Sequence, residues 1–383
     1  MKEIVKIFLK LGITAFGGPA AHIAMMEDEI VRRRGWITHE HFLDLLGATN
    51  LIPGPNSTEM AIHIGYIRAG WKGLILAGLC FISPAVLITL ILAYLYRTFG
   101  SLPQAGSFTL GIRAGIIAVI LAAMFRLSKP FKKNPPMIFL GLLVAVLNFL
   151  SVDEIVLLLG AGVLGLIWHY RSKLTQSTPS IILLAAVVTL LFIVPGAGTA
   201  LTYNGPTLMG IGLFFLKIGS ILYGSGYVLV AFLQGGLVNS RHWLTQTQLL
   251  DAIAVGQFTP GPVLSTATFI GYLMLGIPGA LVATIGIFLP SFVFVVISSP
   301  FIPKLRSSPL MRGFLDGVNA AALGLMLAVS ITLMKTTLSS VPTWVIFMVS
   351  LASIVRWNLN AIWIITGAAI LSWALSLIPF FAS

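Results

Sequence analysis

Of the 383 residues, 57% are hydrophobic and only 9% charged, far below the roughly 25% charged content of a soluble domain. A soluble globular fold is excluded and an integral membrane protein implied. The formal charge of +12 reflects mainly loop lysines and arginines and gives no ground for a nucleic-acid partner, while the single Cys80 excludes a disulfide framework or a thiolate metal site.

The apolar windows are long enough for membrane helices, and the alternating ten-residue strands of a β-barrel are absent. In chain order, six segments are predicted at 4–24, 41–68, 73–96, 106–127, 135–150 and 153–170. A seventh, 180–201, precedes six more at 207–232, 248–275, 278–302, 312–334, 343–355 and 360–380.

The first segment resembles a secretory leader, but it has an internal copy. Phe8-Leu9-Lys10-Leu11-Gly12 returns as Phe215-Leu216-Lys217-Ile218-Gly219, a displacement of 207. Over residues 8–55, fifteen of forty-eight positions match at that displacement, including Gly17 with Gly224, Arg34 with Arg241, Trp36 with Trp243 and Asp44 with Asp251. Fixed-period self-similarity marks a repeat. After a one-residue deletion the displacement becomes 206 and pairs Gly70 with Gly276, Pro84 with Pro290 and Gly111 with Gly317. The expected organisation is a first membrane repeat over 1–175, a connecting transmembrane helix over 176–206, and a second repeat over 207–383.

Equivalent segments are then seven crossings apart, and an odd number inverts the second repeat. The predicted fold is an all-α polytopic membrane protein of two inverted repeats, each of about six helical segments. If the segment holding Pro53-Gly54-Pro55 instead re-enters and returns to its own side, the count becomes even and the repeats parallel. Alternating thirteen crossings puts fifteen basic residues on the side of the N-terminus and five, Arg32, Arg33, Arg34, Arg97 and Lys335, on the other. The excess of Lys and Arg in cytoplasmic loops then places the N-terminus in the cytoplasm and the C-terminus outside, in a multi-pass protein of the cytoplasmic membrane.

Pro53-Gly54-Pro55 and Pro260-Gly261-Pro262 break helices at matched places, since proline lacks the donor and clashes with the preceding turn. Broken helices in transporters expose free N–H groups and a partial positive charge to an anion near the midplane. Asn56, Ser57 and Thr58 are expected to cap the new helix and present donors, with Ser265 and Thr266 as second-half counterparts. Gly17 and Gly18 mark another break. Lys10, Lys217 and Arg113 lie within predicted crossings, where charge usually faces a polar cavity; for the two lysines, snorkelling to an interface is the competing reading. With Lys10, Lys217 and Arg113, these glycines and hydroxyl residues form the predicted substrate site. Glu59, Asp44 and Asp251 are candidates for ion coupling; coupling or gating is the preferred reading for Glu59, and for the aspartates a pair neutralised by a nearby arginine or capping backbone is preferred. His39-Glu40-His41 sets its imidazoles on opposite helix faces, a poor metal site, and no metal or cofactor is expected.

The stretches "FGGPAAHIA", "RRRGWIT", "LIPGPNSTEMAIHIGYIRAGW", "YGSGYVLVAFL" and "LLDAIAVGQFTPGPV" resemble the chromate ion transporter family in its long, two-repeat form, over nearly the whole chain. The resemblance implies oppositely oriented halves and export of chromate, a tetrahedral dianion like sulfate. It further implies a drive from the proton gradient or membrane potential, and chromate resistance. The family's motif residues map to Gly17, Gly18, Pro19, Arg34, Trp36, Pro53, Gly54, Pro55, Gly224, Trp243, Pro260, Gly261 and Pro262. The second glycine motif departs from the pattern as Tyr223-Gly224-Ser225-Gly226. The alternatives are a membrane enzyme acting on lipid phosphates through Glu59, Arg113 and Ser57, or an anion channel; the assembly is open between a monomer and a homodimer.

Overall fold

The structure, a computed structural model, describes residues 1–16, 18–99, 103–174, 205–223, 226–299, 309–357 and 359–377. The predicted connecting helix at 180–201 and the glycines Gly17 and Gly224 lie outside the described residues. Among those described, every regular element is helical.

In the first half, α1 (Lys2–Thr14) buries Ile4, Ile7, Phe8 and Leu11, the three-and-four spacing of one helix face. Proline stands at the first position of α2 (Pro19–Met26), where its missing N–H costs nothing, and a π-helical stretch, Glu27–Arg32, continues it. α3 (His39–Thr49) starts where Thr38 Oγ1 accepts the His41 N–H, so the His-Glu-His stretch opens a helix. Then come α4 (Asn56–Phe99), α5 (Pro103–Ser128), α6 (Pro135–Phe149) and α7 (Glu154–Leu174). The second half repeats the order as α8 (Leu208–Ile221), α9 (Leu229–Leu233), α10 (Gln246–Phe258), α11 (Thr266–Ser298), α12 (Pro309–Thr337), α13 (Val341–Trp357) and α14 (Ala361–Ser376).

α4 and α11 each bend back on themselves. Gly70 (φ 57°) and Gly276 (φ 63°) adopt the left-handed conformation that reverses the chain. Gly65 then meets Gly73 across the corner in one repeat and Gly271 meets Gly279 in the other, with no room for a Cβ at any of the four. Each is therefore a short arm, 56–68 in α4, followed by a long one, 71–99. A 29-residue arm spans about 43 Å, enough to cross a bilayer.

In the first half, the first two predicted crossings fold back as helical hairpins. At the N-terminal end, Glu3 forms ion pairs with Arg34 and with Arg68 (3.9 Å), and the Arg68 guanidinium lies 4.8 Å from the Trp36 ring centroid. Residues 3, 34, 36 and 68 thus share one side of the molecule. Midway along the 71–99 arm, Gly12 abuts Phe81 and Pro84, and His22 meets Phe81 edge-on and Ser57 at 3.1 Å. The chain therefore runs in along α1, breaks at mid-depth, returns along α2, re-enters along α3, breaks at Pro53-Gly54-Pro55 and returns along 56–68. Both segments are re-entrant hairpins, in correction of the count that let each cross once. The long arms of the two halves run antiparallel, with Gly78 packed on Phe292 and Arg97 approaching Gly276. The hairpins also return Arg32, Arg33 and Arg34 to the N-terminal side and move Arg241 off it, which steepens the charge asymmetry.

The repeats interlock. α5 packs against α13 and α14 of the other repeat, and α12 against α6 and α7. Small residues allow the approach: Gly111 sits on Ala368 and Gly317 on Ala161 with no space for a Cβ, as is usual between membrane helices. Large apolar side chains such as Trp71, Leu87, Ile91, Ile285 and Ile297 point outward, where lipid surrounds them.

Candidate functional site

The four helix breaks meet in pairs across the repeats. Gly261 N–H donates to Ala15 O (2.9 Å), and Gly54 N–H donates to Leu222 O (2.6 Å). These are the same bond under the repeat, since 15 maps to 222 and 54 to 261. Each Pro-Gly-Pro thus docks on the first break of the opposite half, because loop backbone at membrane depth must find internal partners.

At the Gly261 and Ala15 junction lies a cavity of about 60 Å³ lined by Gly18, His22, Arg126, Tyr227, Gln257 and Thr259, among others. That is several times the space one water needs. Gly18 is the N-cap of α2 (φ 81°), so the helix presents its positive end there. Arg126 stands in the last turn of α5, and Tyr227 Oη approaches Gln257 Oε1 at 3.4 Å. Donors, a helix N-terminus and a guanidinium converge there, an arrangement that attracts an anion.

The Gly54 and Leu222 junction is filled instead. Glu59 is fully buried, and a Cβ on Gly54 would overlap its Oε1 and crowd Ser291 Oγ at 2.8 Å.

Several predicted site residues lie elsewhere. Lys10 is exposed and bonds Glu29 Oε2 at 3.0 Å. Lys217 is likewise exposed, close enough to Glu154 to interact with it electrostatically. Arg113 is held in a bidentate pair, Nε to Asp251 Oδ1 and Nη2 to Oδ2, both 2.8 Å, and Tyr96 Oη donates to Asp251 Oδ2 at 2.7 Å. None of these three cations lines the cavity. The aspartate reading that invoked a neutralising arginine describes Asp251; Asp44 is half-buried.

Asn56, Ser57 and Thr58 do not cap the 56–68 arm with their side chains. The N–H groups of Thr58 and Glu59 bond Pro55 O at 2.8 and 3.1 Å, because the proline carbonyl already stands at the cap and the three polar residues fall inside the helix. Ser57 bonds His22, Asn56 bonds Asn50, and Thr58 Oγ1 is buried without a partner. Thr266 Oγ1 donates to Val263 O (2.8 Å), and Ser265 Oγ is buried and unpartnered.

Arg126, Tyr227 and Gln257 were not singled out in the sequence. Arg126 counted as a loop charge. Gln257 carries a signal, since an amide stands three residues before each Pro-Gly-Pro, Asn50 in one repeat and Gln257 in the other.

A family profile described as "Chromate transporter" matches residues 2–166 and again 209–373. The chain is 35% identical to the "Chromate transport protein" of Cupriavidus metallidurans over 375 residues, 97% of this chain and 92% of the relative. It is 32% identical to the "Probable chromate transport protein" of Synechococcus elongatus over 364 residues (94% and 91%). It is also 32% identical to the "Chromate transport protein" of Pseudomonas aeruginosa over 377 residues (96% and 90%). No solved structure matches. With both halves of the chain matched and the relatives aligned over about nine-tenths of their length, the protein belongs to the chromate transporter family.

Proposed function

We propose that the protein is a secondary transporter that exports chromate, or a related tetrahedral oxyanion such as sulfate, across the cytoplasmic membrane and so confers chromate resistance. The observation that carries the reading is the cavity in which the α2 N-terminus at Gly18 meets Arg126, Gln257 and Tyr227. A dianion gains there from charge-assisted hydrogen bonds and from the helix dipole. The positive-inside bias supports a cytoplasmic N-terminus, and the cavity lies toward that side, bounded by Arg126, by Leu359 and Asn360 between α13 and α14, and by the start of α14. Arg113, Asp251 and Tyr96 tie α4, α5 and α10 together on the opposite side, which fits an inward-facing state.

The lipid-phosphate enzyme reading needed Glu59, Arg113 and Ser57 together, whereas Arg113 engages Asp251 and Ser57 engages His22. Uptake into everted vesicles tests the proposal. Labelled chromate is expected to accumulate under an interior-positive potential, to saturate, and to be competed by sulfate. Accumulation of phosphate instead redirects the reading to another oxyanion, and flux without saturation to a channel.

A further inference from the structure

The break at Gly54 carries polar groups that its repeat image lacks. Glu59 is 0% exposed, and neither of its carboxyl oxygens has a hydrogen-bond partner. Ser291 Oγ and Thr58 Oγ1 are also buried and unpartnered. The Glu59 carboxyl and the Ser291 hydroxyl converge where a side chain on Gly54 would lie. At the image break, the places of Glu59, Ser291 and Tyr223 are taken by Ser265 or Thr266, Ala85 and Phe16. Yet Gly261 still bonds Ala15 there as Gly54 bonds Leu222. The fold therefore does not need the polar set.

Among the described residues, polar groups near Glu59 come from several elements. Ser57, Thr58 and His63 share its arm, His22 of α2 bonds Ser57, Ser291 belongs to α11, and Tyr223 interacts with Glu59 electrostatically from the opposite break. Among the described residues no Lys or Arg is ion-paired with Glu59. A buried carboxylate with no counter-charge is strongly disfavoured, and a single carboxylate calls for a single positive charge. We propose that Glu59, with Ser291, forms the site for a monovalent cation, H⁺ or Na⁺, whose movement is coupled to that of the oxyanion. The coupling rests on the transport reading above; the site does not. A connection between the two sites is present, because Ser57 lies in the same helical turn as Glu59 and bonds His22, which lines the oxyanion cavity.

Infrared difference spectroscopy of the full-length protein in lipid bilayers tests this, with steps of pH or of Na⁺ at fixed pH. A carboxylic-acid band that titrates in the wild type and is missing from Glu59→Gln identifies H⁺. Carboxylate bands that move on adding Na⁺ and are missing from the variant identify Na⁺. Ser291→Ala is expected to shift the same band and to weaken cation affinity about tenfold, since it removes the one neutral oxygen that would share the ion with the carboxylate. If Glu59→Gln does not accumulate, the wild type and Ser291→Ala decide alone. Wild-type carboxyl bands insensitive to both ions, or bands that neither substitution alters, overturn the proposal. Chromate flux is measured separately in the same preparation. Flux without the Glu59 band removes the cation site alone, and the band without flux removes the transport reading alone.

Discussion

Gly54 gives its backbone N–H to the carbonyl of Leu222 at 2.6 Å, and the repeat image of that bond joins Gly261 to Ala15 at 2.9 Å. The reciprocity ties each half's Pro-Gly-Pro to the other half, but the surroundings differ. Alanine at Gly54 would overlap the Glu59 carboxyl group, whereas alanine at Gly261 would place its Cβ 3.2 Å from that of Ala85. Both glycines have positive φ, 142° and 86°. Gly261→Ala is expected to cost about 1–3 kcal/mol of backbone strain and Gly54→Ala clearly more, read as thermal stability in detergent. Equal losses would mean that the two junctions are packed alike.

The Arg113 and Asp251 pair should behave as a buried ion pair, with side-chain exposures of 19% and 5%. Removing one partner leaves an uncompensated charge, so Asp251→Asn is expected to destabilise by about 3–5 kcal/mol. Replacing both residues by apolar ones of similar volume should restore most of that. A double-mutant cycle on unfolding midpoints measures the coupling, and a cycle with no coupling would contradict the bidentate geometry.

The re-entrant hairpins make a topological prediction. In a Cys80-free background, single cysteines at Arg33 and Lys72 should label from the same face of the membrane, and one at His242 from the opposite face. Were the first segment to cross, Arg33 and Lys72 would not share a face with Glu3 and Arg68 between them. Labelling of Arg33 from the His242 side would undo the hairpin and the inverted arrangement built on it.

Cations of the cavity and cations of the rim should separate in transport assays. Arg126→Gln is expected to raise the apparent KM for chromate about ten- to a hundredfold, the worth of a charge-assisted contact of roughly 1.5–3 kcal/mol. Gln257→Ala removes a neutral contact worth about 1 kcal/mol, near fivefold. Lys10→Gln should change KM by less than either, since its ammonium bonds Glu29 on an exposed surface. The reverse order would return the site to the lysines.

Much of this molecule was legible without coordinates. The repeat, the helical membrane class and the positions of both Pro-Gly-Pro breaks follow from covalent chemistry: apolar length, the missing proline donor, and a displacement read directly from matched residues. The corners at Gly70 and Gly276 were visible as a matched pair, but not that each folds a short arm back on a long one. Hydropathy cannot tell a re-entrant hairpin from a crossing of equal length, because both need the same apolar side chains. Only ion pairs between residues far apart in sequence, Glu3 with Arg34 and with Arg68, fix which end lies where.

For the site, the sequence alone determined where the backbone must break and leave helix ends at membrane depth. It did not determine which charges serve those ends. Lys10, Lys217 and Arg113 stood out because charge at membrane depth is rare, yet rarity does not say whether a partner waits across the fold. Asp251 lies 138 positions from Arg113, and a bond across that separation is decided by packing alone. The same packing turns Arg126 into the cavity and leaves Glu59 facing Gly54, because the interlocked repeats set which surfaces meet.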